Sequence, residues 1–338
     1  SKSDQFLKNT SVSIQAIKPY LINNKNPATL ENTIDQIPGV QTINGQVVIR
    51  SGSGWSYGAG TRVMIMVDGM PLISGDAGQV QWSFIPVENI ESMEVIKGAS
   101  SVLFGSSALN GVINIITKKP KLKPETKIST FYGFYGKHEE DGLNWNQGKL
   151  LSTFGVRAFH SQKKGKNSIA LNLNYFNDDS YRMSDLDNRL RVGWQYQRDI
   201  KKWNGYAGLN GNLLVGKSSS FLLWENDKLA YTALDSNFTN NKILRFNVDP
   251  FLVINKNKWK HLLQGRYLKV SNFVLQAGTG LSQNNFSDLF FGEYQLSRDI
   301  NKNLRVIGGI TATYIISRSD IFQGDNTCLL YTSPSPRD

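Results

Sequence analysis

The sequence predicts an α/β domain over residues 1–119 followed by an antiparallel transmembrane β-barrel over residues 127–326, the two joined by a linker at 120–126. Three observations predict it. The apolar pattern changes from mixed helix and strand to period-two alternation after the lysine–proline stretch. In the alternating part the apolar face is opposed by arginine and asparagine, which suits lipid outside and a polar lumen inside. The connections are short and long in turn, and consecutive antiparallel strands then put every long loop at one end of the sheet and every short turn at the other.

The first part reads as follows. Asn26-Pro27 forms an N-cap with proline at the first helical position. Leu30, Ile34 and Ile37 fall on one helical face before Pro38-Gly39 stops it. Val47–Ile49 and Val63–Val67 are short strands, the second closed by a turn at Asp68-Gly69. Pro86 opens a second short helix through Ile90, and Glu94–Ile96 is another strand. The segment "VIKGASSVLFGSSALNGVINIITKK" (95–119) places Gly98, Gly105 and Gly111 among small residues, as a backbone threaded through a tight space requires.

In the second part Ile169, Leu171, Leu173 and Tyr175 alternate with Ala170, Asn172 and Asn174. Leu190, Val192, Trp194 and Tyr196 alternate with Arg189, Arg191, Gln195 and Gln197. Leu244, Phe246 and Val248 alternate with Arg245, Asn247 and Asp249. Further strands fall near 127–136, 149–161, 205–216, 259–270, 286–297 and 304–317. Short connections at 161–167, 198–204, 254–258 and 297–303 alternate with long ones at 137–148, 177–187, 217–241 and 271–285.

Composition bounds the alternatives. The 338 residues are 40% hydrophobic and 11% aromatic, and no run reaches the ~20 apolar residues of a membrane helix. "SKSDQFLKNT" has no apolar core of a secretory signal. The net charge of +11 is scattered, and Lys118, Lys119, Lys121 and Lys123 are interrupted by Pro120 and Pro124, so a solvated linker is expected and no nucleic-acid partner. His138, His160 and His261 show no ligand spacing, so neither a metal nor another cofactor is expected. "GSGWSYGAG" departs from the dinucleotide fingerprint and has no helix after it. The single cysteine, Cys328, lies in "CLLYTSPSPRD", which resembles the out-of-frame translation of a library-preparation adapter. Residues 327–338 are therefore expected to be non-native.

The segments "TLENTIDQIPGVQTINGQVVIRSGSG", "TRVMIMVDGMPL" and "IPVENIESMEVIKGASSVLFGSSALNGVINIITKKP" together resemble the plug domain of TonB-dependent outer-membrane receptors, in order and spacing, over most of residues 11–120. "SVSIQAIKPYLI" and "SGSGWSYGAGTR" resemble Bacteroidota members in style. About nine strands are visible, and a barrel of about eight is too narrow to hold a folded domain, so the barrel is expected to continue beyond this chain, toward the 22 strands of plugged transporters. The resemblance implies a plug wedged in the barrel, with Asp68, Gly69, Gly98, Gly105 and Gly111 as packing and turn residues. It also implies that Arg50 and Lys97 face glutamates on the wall as a plug–barrel coupling.

Cargo contact is expected from the glycine-rich loops "SGSGWSYGAG" and "SGDAGQVQW", through Trp55, Ser56, Tyr57, Asp76, Gln79 and Trp82. Trp55 and Trp82 have a competing reading as wall-packing residues. The implied activity is import, not enzymology: TonB-dependent uptake of a scarce bulky nutrient such as an iron chelate, haem or cobalamin across the outer membrane of a Gram-negative bacterium. The partners would be the TonB complex, the nutrient and outer-membrane lipid. A passive porin or adhesin with a periplasmic N-terminal domain, and a soluble carbohydrate-binding β protein, are the alternatives.

Overall fold

A computed structural model of the chain describes residues 14–17, 30–35, 37–43, 45–50, 62–75, 78–98, 108, 110–301, 304–320 and 327–337. The first part contains β1 (Ile14–Ile17), α1 (Glu31–Ile34), β2 (Val40–Ile43), β3 (Gln46–Ile49), β4 (Val63–Val67), β5 (Met70–Pro71), β6 (Ile90–Lys97) and β7 (Gly111–Thr117). Five of these strands form one sheet in the order β1-β6-β7-β4-β5, with β2 and β3 a separate hairpin. The β4–β7 pairing is parallel, as a crossover connection requires, and the other pairs are antiparallel.

Leu30, Ile34 and Ile37 all point into the core, as their helical spacing predicts, together with every residue of β4. Asp68 and Gly69 both have positive φ, the signature of a type I′ turn, and they reverse the chain between β4 and β5. The expected helix from Pro86 to Ile90 is instead a 3-10 turn at Val87–Asn89, and β6 begins at Ile90. Tertiary pairing overrides the local helical signal: Ile90 is registered against Thr117 and the Asn89 carbonyl accepts from the Lys118 amide, so the chain straightens there. At Gly111 (φ +150°) an added Cβ would lie 2.4 Å from the Ile96 carbonyl oxygen, so no other residue fits this β6–β7 contact.

The second part is one antiparallel sheet. Its strands are β8 (Glu125–Tyr135), β9 (Leu151–Lys164), β10 (Asn167–Asp178), β11 (Asp187–Ile200), β12 (Gly205–Ser220), β13 (Thr239–Lys256), β14 (Trp259–Gln276), β15 (Asn285–Asp299), β16 (Arg305–Ser319) and β17 (Thr327–Arg337). Each pairs with its sequence neighbours, in order from β8 to β17. From β8 to β16 the nine strands coincide with the sequence expectation, and loops and turns alternate as expected: 136–150, 179–186, 221–238 and 277–284 at one end, 165–166, 201–204, 257–258 and 300–304 at the other. Residues 327–337, expected to be foreign, form the edge strand against β16.

The sheet is inside out. Along β10, Ile169 and Leu171 are 45% and 52% exposed, while Ala170 and Asn172 between them are 0% and 4% exposed. The same phase exposes Leu190 and Val192 on β11, Leu213 and Val215 on β12, and Ile310 on β16. On that outer face the aromatic rings of Trp194, Phe246, Tyr267, Phe290 and Tyr314 follow one another across the strands, with centroids 5.0–6.4 Å apart. Phe246 shares its row with Lys269, and Asp288 lies 3.7 Å from the Lys269 ammonium on the same face. An apolar outer face crossed by aromatic rings suits contact with lipid.

The buried face packs on the α/β domain. Leu214, Ile243, Leu268, Val270, Leu289 and Phe291 of the sheet share one apolar cluster with the domain's own core. At Gly75 an added Cβ would lie 2.5 Å from Ile315 Cγ2 and 3.3 Å from Ser287 Cβ, so only glycine lets this loop lie against the wall. Leu171→Arg, at mid-height on the outer face, is expected to lower the unfolding free energy in phospholipid vesicles by about 2–4 kcal/mol, and Asn167→Arg beside a short turn by at most about 1 kcal/mol. Equilibrium denaturation of both variants in the same vesicles checks the contrast.

Candidate functional site

The register of the wall decides which inner residues meet the domain. Pairing places Ser129, Arg157, Asn174, Arg191, Leu214, Arg245, Val270 and Ser287 in one row across β8 to β15. Arginine therefore recurs on alternate strands β9, β11 and β13, at intervals of about 10 Å. Arg189 lies one inward row nearer the long loops.

Arg191 is the first anchor. Its Nη1 donates to the carbonyls of Ser83 (2.7 Å) and Ile85 (2.6 Å), and its Nη2 to both carboxylate oxygens of Glu88 (3.0 and 2.7 Å). The side chains of Arg191 and Glu88 are only 4% and 6% exposed. The domain segment held here consists of two single 3-10 turns, Trp82–Phe84 and Val87–Asn89, and the Ile85 carbonyl between them also accepts from the Val87 amide. The guanidinium adds donors at the junction of the two turns. Arg245 Nη1 adds a bond to Ser83 Oγ at 3.0 Å.

Arg266 is the second anchor. Its Nε and Nη2 engage Asp249 at 2.8 and 2.5 Å, and its Nη1 donates to the carbonyls of Met70 and Pro71, both at 3.0 Å. The pair is 2% and 4% exposed. β5 is the edge strand of the domain's sheet, with one side of its backbone unpaired, and Arg266 caps that edge. Next to it, Asp68 accepts from the Thr117 amide (2.9 Å) and hydroxyl (2.7 Å), and Gln195 of the wall donates to the same hydroxyl at 2.7 Å. Burial pushes the Asp68 carboxyl above the ordinary carboxylate range, while the Thr117 bonds and the nearby Arg266 charge act in the opposite direction. Gly75 N donates to Ser287 Oγ at 3.1 Å, a third attachment point.

Toward the short-turn end a cavity of about 300 Å³ separates domain and wall. Asp68, Asn114, Thr117, Gln195, Gln264 and Glu293 line it. Among the described residues no group of three or more His, Cys, Asp and Glu could hold a metal ion. His160 and His261 instead make single contacts, to Thr126 and Tyr294.

Of the residues expected from the sequence to touch cargo or pack, Trp55, Ser56, Tyr57, Asp76 and Gly105 lie outside the described residues. Gln79 is exposed on its loop, where its backbone NH donates to Ser74 Oγ at 3.1 Å and its carbonyl accepts from the Ser74 amide. Trp82 is buried, and its Nε1 donates to the Gly45 carbonyl at 2.7 Å, inside the domain. Lys97 Nζ donates to the Pro38 carbonyl at 2.8 Å, and exposed Arg50 takes a positive φ at the end of β3, its amide bonded to the Gly39 carbonyl. Gly98 has φ +116°, and Gly111 makes its close approach to Ile96, not to the wall.

Among the described residues the arginine anchors between wall and domain, Arg191 and Arg266, sit on the wall with acceptors on the domain, beside the expected pairing of Arg50 and Lys97 with wall glutamates. The signal available in the sequence was the phase of Arg191, Arg245 and Arg266, each on the inward alternate of its strand.

Residues 7–112 match the family model of the TonB-dependent receptor plug domain. Over 183 residues the chain is 28% identical to the vitamin B12 transporter BtuB of Photobacterium profundum, which covers 48% of this chain and 28% of that protein. Its fold is similar to that of the siderophore receptor PirA of Pseudomonas aeruginosa, with a TM-score of 0.68 at 16% identity, covering 96% of this chain and 53% of that one. The RagAB peptide importer is similar as well, with a TM-score of 0.67 at 14% identity, covering 96% and 52%. The chain spans about a quarter of the curated relative's length and half that of the solved structures.

Arg266→Ala is expected to destabilise the seated domain by about 3–5 kcal/mol, because it strands buried Asp249 and two edge carbonyls. Arg266→Lys should recover little, since an ammonium cannot reproduce the fork. Amide hydrogen exchange at residues 65–72 in each variant, against the unaltered protein, measures both effects.

Proposed function

We propose that this chain, a TonB-dependent receptor plug domain joined to a barrel-like outer-membrane wall, works in active import of a bulky nutrient, an iron chelate or a corrin such as cobalamin. The observation that carries the reading is the inside-out wall with a folded domain held on its polar face by buried arginines. A pore for passive diffusion needs an open lumen; a domain clamped at Arg191 and Arg266 closes the part of it that this wall encloses. Import then requires work on the domain, and the outer membrane has no ion gradient or nucleotide of its own to supply it. The TonB complex is the partner that would deliver this work from the inner membrane.

The wall here is open at its edges, and unpaired strand edges do not persist in lipid. We read it as part of a larger barrel of about 22 strands, as in plugged transporters. Residues 327–338 are read as adapter sequence: Pro334 and Pro336 lack the N–H that an interior strand must donate. The style of the N-terminal segments supports a Bacteroidota source. Trp55, Ser56, Tyr57, Asp76 and Gln79 are the plug residues proposed to touch cargo, and Trp82, buried in the domain, is not among them. Asp68, Gly69, Gly98, Gly105 and Gly111 keep the proposed packing and turn roles. Arg50 and Lys97 are proposed to add to the coupling made by Arg191 and Arg266.

In cells carrying the receptor as their one route for a given chelate, a proton uncoupler should abolish uptake of the labelled chelate while leaving its binding to the cell surface intact. Uptake that continues unchanged with the uncoupler would support a passive porin instead.

A further inference from the structure

The net charge of +11 looks scattered along the sequence, but the fold sorts it by end. The four short turns, each taken with two residues on either side, carry eleven lysines and arginines and two aspartates. The four long loops, taken the same way, carry four lysines and arginines and ten carboxylates. The linker adds to the basic end, because the Lys121 carbonyl accepts from the Lys163 amide beside the first short turn. Both aspartates of that end are already engaged, Asp199 by Lys163 and Asp299 by Arg305.

Part of this charge stands on the outer side of the wall. From the short turn upward, the outward positions of β11 are Arg198, Tyr196, Trp194, Val192 and Leu190, and register sets Arg198 level with Lys164 of β9. Lys256 and Arg298 stand level on either side of Trp259, in the phase of exposed Leu263 and Tyr294. A cation at the rim, an aromatic with a polar tip, then hydrocarbon is the order of groups that a bilayer's headgroup region selects. Lys164, Arg198 and Lys256 are exposed, with no carboxylate in ion-pair reach among the described residues. The Arg298 guanidinium lies 5.2 Å from the centre of the Trp259 ring, and its Nε is buried without an acceptor among the described residues. Stacking on a ring leaves the N–H edge of a guanidinium free for a phosphate.

We propose that Lys164, Arg198, Lys256 and Arg298 form a band on the outer rim of the short-turn end that binds the headgroups of anionic phospholipids. Lipid is the occupant, not an acidic protein, because the cations continue the exposed apolar face without a break. A headgroup held at Arg198 keeps its acyl chains against Val192 and Leu190. A zwitterionic headgroup brings its own ammonium and gains less from the band than one with net negative charge. Short turns of outer-membrane barrels face the periplasm, which assigns the band to the periplasmic leaflet. The inference rests on the outer-membrane reading of the wall and is independent of the cargo.

The test places the protein in phosphatidylcholine bilayers with a trace of chain-spin-labelled phosphatidylglycerol or phosphatidylcholine, and electron spin resonance reads the fraction of label held at the protein boundary. The inference expects phosphatidylglycerol to be favoured about threefold averaged over the boundary, less than the roughly fivefold that one basic residue supports at its own site. Added salt should reduce the preference. Replacing Lys164, Arg198, Lys256 and Arg298 together by Gln should bring it close to one. Replacing Lys137, Lys149 and Lys228 by Gln, at the long-loop end, should leave it unchanged. Equal association of the two lipids, or a preference that survives the fourfold replacement, would overturn the inference. Equal association joined to retention of the protein on immobilised polyglutamate would also overturn it, in favour of a soluble acidic partner. A protein that stays out of the bilayer would overturn the membrane reading and the inference with it, whereas entry without lipid preference overturns the inference alone.

Discussion

A guanidinium placed on the inner face of a membrane wall must find acceptors, because neither lipid nor a packed protein interface will solvate it. A small α/β domain with a two-residue edge strand and two 3-10 turns presents backbone carbonyls at its surface. Arg266 takes those of Met70 and Pro71, and Arg191 those of Ser83 and Ile85. The seating of the domain and the satisfaction of the wall's polar face both depend on this exchange. Because the acceptors are mostly backbone carbonyls, the anchors constrain the path of the domain's chain more than its side chains.

The same geometry bears on release. Each anchor combines a bidentate carboxylate contact with bonds to main chain, and each is nearly dry. Glu88 belongs to the domain, so the Arg191 ion pair breaks if the domain moves. Asp249 belongs to the wall, so Arg266 keeps its carboxylate and loses only the two carbonyls. The second anchor therefore leaves no charge without its partner on its own side of the interface. The 300 Å³ cavity on the short-turn side lies beside Met70 of β5 and Asn114, Ile116 and Thr117 of β7.

Much of this arrangement was legible from the sequence. Nine wall strands, the sorting of loops to one end and turns to the other, and the buried faces of Leu30, Ile34 and Val63–Val67 follow from periodicity and turn residues, which are local. The failures were non-local. The turn at Val87–Asn89 looked helical because nothing nearby announces that Ile90 pairs with Thr117, a residue far along the chain. Trp82 looked like an exposed contact because its loop is glycine-rich, yet its indole reaches back to Gly45. The wall anchors were not singled out for the same reason: alternation tells that Arg191 and Arg266 face inward, but only the register tells which carbonyls await them. Gly75, whose bare Cα admits Ile315, stands in a loop that composition marked only as adaptable.

The most direct test of the account is to fix the domain to the wall where the two come closest. Ser287 Cβ lies 3.3 Å from the position of a Cβ on Gly75, close to the ~3.5–4.5 Å that a disulfide spans. A protein carrying Gly75→Cys and Ser287→Cys, with Ile315→Ala to make room and Cys328→Ser to remove the other thiol, should form that disulfide on mild oxidation in the membrane. Mass spectrometry of linked peptides reads it. Near-complete linkage is the result the account predicts. Two free thiols, in a protein that inserts normally, would mean that the domain does not sit against the wall and that the arginine anchors are not made.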